Sequence, residues 1–148
     1  GVQTVWTEGR SAVASDLTYD PHALIGFLES REDWTFGYGP DDRVHDCARF
    51  CGAGVAAVHG INPLAAFAAT WTSEGGARRA LARHGGMASA VDTVMRQIDG
   101  VAARRGDVGM TPDGALMLFE GDTVVGPGQV RGLVRHPRHM ITIAWTVI

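Results

Sequence analysis

Cys47 directly follows Asp46 at what reads as the start of a helix, and a cysteine in this position is a candidate nucleophile. The first backbone N–H groups of a helix have no partner, so this end carries partial positive charge. That charge stabilises a thiolate, which is the reactive form of cysteine. Asp46 is a favourable N-cap and predicts Cys47 at the first helical position. The alternative interpretation is a small apolar residue that packs the helix against a sheet.

A cysteine nucleophile needs a nearby base, and the chain contains six histidines. His45 is the candidate closest to Cys47 in sequence, but it could reach the thiol only by folding over the helix start. His59 would lie at the far end of the same helix, about 18 Å away. The remaining candidates include His84, His136 and His139. We therefore take His45 as the candidate base and keep the other histidines as alternatives.

Cys47 and Cys51 lie one helical turn apart, which also raises the possibility of a metal site or a disulfide. Structural zinc usually has two closely spaced ligand pairs, and the sequence has no second pair. A disulfide between two cysteines inside a regular helix has poor geometry. The sequence therefore predicts two free cysteines, no metal and no cofactor.

Length and composition predict one globular domain without a nucleic-acid or membrane partner. The chain has 148 residues, a net charge of −3 and 20% charged residues. This charge provides no basic field for nucleic acid. No segment reaches the roughly 18 apolar residues of a membrane span, and the first residues do not resemble a signal peptide. Residues 1–18 alternate at their start like a strand and predict an N-terminal arm or extra strand, followed by a domain over residues 19–148.

Hydrophobic periodicity divides that domain into a helical part and a strand part. Helices are predicted over residues 22–31, 47–59, 77–84 and 87–98, with a short apolar turn over 64–71. Short apolar runs separated by glycine and proline follow over residues 108–110, 115–120, 123–125, 130–134 and 140–148. Helices followed by antiparallel strands indicate an α+β domain, with helices on one face of a small sheet.

The order of these elements and several short motifs resemble the NlpC-type cell-wall peptidases, a papain-like superfamily. More closely, the chain is similar to a small phage-encoded family of domains related to that superfamily. The resemblance covers about residues 20–148. Its motifs are Phe36-Gly37, His45-Asp46-Cys47 with Phe50, Gly60-Ile61-Asn62-Pro63, Gly85-Gly86-Met87, Arg105-Gly106-Asp107-Val108, Val125-Gly126-Pro127 and Ala144-Trp145.

This resemblance implies a papain-like, NlpC-type fold, with N-terminal helices packed on a C-terminal antiparallel β-meander. It also implies that Cys47 attacks an amide of a peptidoglycan peptide, with its backbone N–H helping to stabilise the oxyanion. A histidine on the first strand after the Gly-Asp turn would be the base. Here Ala115 stands at about that position. Without the base, hydrolysis should fall by several orders of magnitude.

The resemblance further implies a place in a phage tail, because related proteins are commonly encoded among tail-tip genes. The expected function is a structural component of the tail tip or baseplate, with degenerate or weak catalysis. Its expected partners are the phage tail hub or other tail-tip proteins, with peptidoglycan peptide as a further candidate. It would be made in the host bacterial cytoplasm and reside in the virion. The alternatives are an active cell-wall peptidase that aids tail penetration and a module that binds wall peptide without cutting it.

Overall fold

The computed structural model describes residues 18–148, and the account below is restricted to them. The arm predicted for residues 1–18 falls almost entirely outside this range. Within it, the chain forms a mixed α/β domain with five α-helices and an antiparallel sheet. None of these helices combines the length and the apolar character needed to cross a membrane.

The helices and strands follow one another in an order close to the predicted one. The helices are α1 (Ala23–Arg31), α2 (Cys47–His59), α3 (Ala65–Ala68), α4 (Glu74–Ala82) and α5 (Met87–Asp92). The strands are β1 (Thr35–Phe36), β2 (Val44–His45), β3 (Arg96–Ile98), β4 (Val108–Met110), β5 (Leu116–Phe119), β6 (Thr123–Pro127), β7 (Leu133–Pro137) and β8 (Ile143–Thr146).

The main sheet has six strands in the order β3-β8-β4-β5-β6-β7, with every neighbouring pair antiparallel. Strands β4 to β7 form the predicted meander. Strand β8 returns to the other side of β4, which the meander alone did not predict. The small parallel pair β1–β2 is tied to the β6–β7 connection by a bridge between Thr35 and Arg131.

One predicted helix is wrong in its second half. The periodicity indicated a helix over residues 87–98, whereas α5 ends at Asp92 and residues Arg96–Ile98 form β3. These residues pair with β8, where Gln97 lies opposite Trp145. The sheet therefore satisfies the backbone groups that a longer helix would have satisfied, and tertiary pairing overrides the local period.

Helix α2 is the central helix, and its predicted bounds are confirmed. It begins after the Asp46 cap and ends at Gly60, which adopts the left-handed conformation with φ of 85°. Its stripe of Cys51, Val55 and Val58 is fully buried. A Cβ on Gly54 would collide with Leu118 of β5, so this glycine allows the helix to lie close to the sheet.

The sheet buries apolar side chains on both faces. Leu116 and Leu118 belong to the main core with α2, whereas Met117 and Phe119 belong to a second cluster with Val124. Successive side chains of β5 point to opposite faces of the sheet, so this strand contributes to both the main core and the second cluster. The start of α2 and the start of β5 then meet at one end of the domain.

Candidate functional site

Cys47 occupies the first position of α2, as predicted, and Asp46 caps the helix through its side chain. The Asp46 carboxylate accepts a hydrogen bond from the backbone N–H of Arg49 at 2.8 Å. Its other oxygen accepts from the Arg49 guanidinium at 2.9 Å and from the Trp71 indole N–H at 3.0 Å. Asp46 is buried, so these three donors compensate for the loss of water. Its carboxylate therefore serves the scaffold.

Arg49 extends this scaffold to the segments on either side of α2. Its guanidinium donates to the carbonyl oxygens of Tyr38 at 2.6 Å, Ala68 at 2.9 Å and Trp71 at 2.5 Å. The fixed fork of an arginine suits this kind of multiple contact. One side chain thereby joins the glycine turn before α2 to the segment after α3.

Cys47 lines a cavity of about 750 Å³ between the start of α2 and the sheet. The cavity lies against the turn from Thr111 to Gly114 and the first residues of β5. Its lining residues are Phe36, Cys47, Thr111, Pro112, Asp113, Ala115, Leu116, Met117, Gly126, Pro127, Gln129, Val134, His136 and Met140. The titratable side chains among them are Cys47, Asp113 and His136. A cavity of this size accommodates a ligand of a few residues.

The Cys47 thiol is not activated in this environment. Burial raises its pKa to about 11, and the negative charge of Asp46 acts in the same direction. Backbone hydrogen bonds from Leu116, Cys47 and Ala48 oppose that shift, which is the predicted effect of a helix start. Burial nevertheless dominates, so the thiol is protonated at neutral pH. The predicted position of Cys47 is confirmed. Its role as a nucleophile stays a prediction, which this pKa does not support.

Tyr38 lies outside the cavity lining, but its phenol is sensitive to Cys47, which the sequence analysis did not anticipate. It packs against the main core, as Cys47 does. Burial raises the pKa of its phenol, and the charge of Cys47 is the next largest cause. The phenol therefore shares the surroundings of the thiol. The available signal was the position of Tyr38 in the glycine turn just before the nucleophile.

His45, the predicted base, is buried on the side of Arg31 and Trp34. Its Nδ1 lies 3.2 Å from an Arg31 guanidinium nitrogen, and its ring packs 5.2 Å from that of Trp34. Because arginine can only donate, Nδ1 must accept and the proton lies on Nε2. Neither nitrogen is then free to accept a proton from Cys47. Burial, with the positive charge of Arg31, lowers the pKa of His45 to about 4. The assignment of His45 as base stays a prediction, which these contacts do not support.

His59 and the Gly-Asp turn form a separate buried group at the other end of α2. His59 Nε2 lies 3.4 Å from a carboxylate oxygen of Asp107. The Asp107 carboxylate accepts hydrogen bonds from the Arg104 backbone N–H at 2.8 Å and from the Thr146 hydroxyl at 2.7 Å. A Cβ on Gly106 would collide with Val58, so the turn packs directly on α2. The Gly-Asp motif is thus a structural junction.

The remaining histidines differ in their relation to the cavity. His84 packs 6.0 Å from the Phe67 ring, and His139 is exposed after β7. His136 is the histidine that the structure places in the lining of the same cavity as Cys47. It lies opposite Val124, whose side chain belongs to the cluster on the sheet face away from α2. Within residues 18–148, no hydrogen bond joins Cys47 to a histidine.

Ala115 lines the cavity immediately before Leu116, whose backbone contacts the thiol. Its backbone N–H donates to the Thr111 hydroxyl at 3.1 Å, which closes the turn into β5. The cavity wall formed by β5 thus approaches Cys47, but Ala115, directly before the strand, has no titratable side chain. The described part of the chain also contains no group of three or more histidine, cysteine or acidic residues that could hold a metal ion. Both cysteines are free.

Comparison with known proteins gives one match. No curated protein and no solved structure is detectably similar to the chain. A family described as a domain of unknown function, DUF6950, matches residues 19–147. This range includes Cys47, Ala115 and all the secondary-structure elements named above. The chain therefore belongs to the DUF6950 family.

Proposed function

We propose that this chain is a papain-like, NlpC-type domain that serves as a structural component of a phage tail tip or baseplate, with a degenerate or weak peptidase site. The motif resemblance described above supports the placement in a tail. The arrangement of a cysteine at the start of a central helix packed on an antiparallel sheet is compatible with it. The domain would assemble with the tail hub or another tail-tip protein and reside in the virion.

The observation that carries the loss of catalysis is the cavity wall opposite Cys47. Ala115 directly precedes β5, next to Leu116, whose backbone contacts the thiol. A cysteine peptidase needs a base to generate and hold the thiolate. The thiol pKa of about 11 is what a buried cysteine without such a base should have.

His136 favours the alternative function of an active cell-wall peptidase. It lines the cavity together with Cys47 and Asp113. An imidazole beside a carboxylate is the second half of a catalytic triad. Because His136 belongs to the other face of the sheet, we rank this alternative second.

The two functions differ in the hydrolysis of purified peptidoglycan. We expect wild type and Cys47→Ala to release the same background of soluble fragments, measured by liquid chromatography. Ala115→His should bring an imidazole beside Cys47 and raise the rate of thiol alkylation at pH 7.5, whereas the control Ala115→Gln should not. Hydrolysis by wild type that is lost in both Cys47→Ala and His136→Gln would establish the peptidase instead.

The tail assignment has its own test. Purified phage particles should contain the protein, and the Cys47→Ala protein should assemble at the same copy number, measured by quantitative mass spectrometry. Protein that remains in the lysate and is missing from intact tails would overturn the structural role.

A further inference from the structure

The lining of the cavity has an unusual balance of charge. Asp113 is its carboxylate, and none of the arginines in residues 18–148 belongs to the lining. The other polar side chains are Thr111, Gln129, His136 and the Cys47 thiol. With the thiol protonated, the cavity at pH 8 presents one full negative charge. A ligand carboxylate would find no arginine in the lining, whereas a ligand cation would find Asp113.

The turn at the start of β5 holds this carboxylate in place. The Thr111 hydroxyl donates to Asp113 Oδ1 and accepts from the Ala115 backbone N–H at 3.1 Å. Gly114 closes the turn with a φ of 89° and donates to the Thr111 carbonyl oxygen at 3.0 Å. A carboxylate fixed in this way loses little side-chain entropy when a ligand binds. The Thr111 hydrogen bond also lowers the pKa of Asp113, which keeps it ionised.

The surface that leads to Asp113 is mostly apolar. Its apolar side chains include Phe36, Pro112, Met117, Pro127, Val134 and Met140. An aliphatic chain that ends in an ammonium group matches this combination, because its methylene groups can cover apolar surface while its charge meets the carboxylate. A lysine-like side chain has this form.

We infer that the cavity selects peptides that carry an aliphatic side chain with a terminal ammonium group, and that Asp113 is the residue that recognises the ammonium. This inference rests on the proposed function, since it takes the ligand of the cleft to be a peptide. The volume of about 750 Å³ leaves room for such a side chain and its neighbouring residues. No cleavage of the peptide is required.

The test uses two blocked tripeptides that differ only in the charge of one side chain. One is N-acetyl-Ala-Lys-Ala amide, and the other carries an acetylated lysine at the same position. Each is titrated at pH 8 into the isotopically labelled protein, and amide shifts of residues 111–116 report binding. We expect wild type to bind the charged peptide about threefold to fivefold more tightly, as is typical of an exposed ion pair.

Asp113→Asn should reduce this preference to about one, because it removes the charge and keeps the shape. The matched control Asp122→Asn removes an exposed carboxylate from the turn at the other end of β5, outside the cavity, and should keep the wild-type preference. If Asp113→Asn gives a poor spectrum, Asp113→Ser provides the same comparison.

A preference that survives in both Asp113 variants, or an equal affinity of wild type for the two peptides, would overturn the inference while leaving a peptide cleft in place. Failure of the charged peptide to bind would also overturn it. The hydrolysis and tail-assembly experiments decide the proposed function separately, so the two failures are distinguishable.

Discussion

The start of α2 and the turn before β5 face the same cavity, but they are built in opposite ways. At the start of α2, the His45-Asp46-Cys47 run contains the three residue types of a catalytic triad. The contacts and surroundings of all three serve the fold. His45 accepts from Arg31, Asp46 accepts three hydrogen bonds, and burial keeps Cys47 protonated. At the turn, Asp113 is exposed and Ala115 presents only a methyl group.

This difference shows that the residue types of an active site can persist as structural parts. Buried polar groups are costly to remove once they are paired, so the α2 side is fixed by stability. The turn before β5 is also hydrogen-bonded through Thr111, but its Asp113 side chain is exposed, so replacing Asp113 should cost less stability. The predictions below test this division, from the largest expected effect to the smallest.

The largest effect should come from Asp46→Ala. This change leaves the Arg49 guanidinium and the Trp71 indole N–H without their shared acceptor. Breaking a buried charge pair of this kind costs about 3–5 kcal/mol. Urea unfolding monitored by circular dichroism measures the loss. If Asp46→Ala does not fold, Asp46→Asn keeps the shape and retains part of the hydrogen bonding.

The matched control lies on the opposite wall. Asp113→Ala also removes a carboxylate, but from an exposed turn and with the loss of one hydrogen bond from Thr111, so it should lower the urea midpoint much less. If Asp46→Ala loses no more unfolding free energy than Asp113→Ala, the start of α2 is not fixed more strongly by stability than the turn before β5.

The second effect is the pH dependence of stability that comes from His45. Its pKa is about 4 in the folded chain, below the ordinary value of 6.5, because burial and then Arg31 disfavour the charged ring. The unfolded chain therefore binds a proton first as the pH falls. The contribution of the neutral His45 ring to the free energy of unfolding is complete above pH 6.5. It is lost between pH 6.5 and pH 4, by about 3 kcal/mol over the whole window.

A variant without the imidazole tests this assignment. His45→Phe should lose less stability than wild type between pH 7.5 and pH 4, as measured by urea unfolding at each pH. His139→Phe removes an exposed histidine that belongs neither to the start of α2 nor to the turn before β5. Its stability should change with pH as that of wild type does. Equal curves for wild type and His45→Phe would contradict the buried, neutral state of this ring.

The third effect concerns the reactivity of Cys47. A thiol with a pKa of about 11 has a far smaller thiolate fraction at pH 8 than free cysteine. Alkylation by iodoacetamide should therefore be about 100-fold slower than that of N-acetylcysteine. Intact mass spectrometry of the Cys51→Ala protein isolates the reaction at Cys47. A rate that reaches its plateau below pH 8 would mean that the site contains an effective base, which would strengthen the peptidase alternative.

Local sequence signals predicted the α2 side of the site well. The Asp46 cap, the spacing of Cys51, Val55 and Val58, and Gly60 define a helix from one end to the other within a single stretch. Each signal acts over a few residues, so it is visible without the rest of the fold. Strand β4 was predicted for the same reason, since turns with glycine and proline bound its apolar run.

Long-range pairing limited the rest of the prediction. Residues 96–98 follow a helical period but join the sheet because β8 supplies their partners. The register of β7 placed His136 in the cavity lining, although the sequence suggested only a loop around Pro137. The effect of Cys47 on Tyr38 was not predicted, because it depends on the fold of the glycine turn, whose Tyr38 carbonyl oxygen accepts from Arg49.

The sequence alone determined that Cys47 begins a capped helix and that the start of β5 lacks a histidine, because both facts depend on residue identity within one short segment. Only the tertiary structure decided the protonation of the thiol, the hydrogen bond of His45 with Arg31 and the placement of Asp113 and His136 in one cavity lining. Burial and charge depend on which distant segments pack together. The chemistry of this site therefore follows from packing that no single segment specifies.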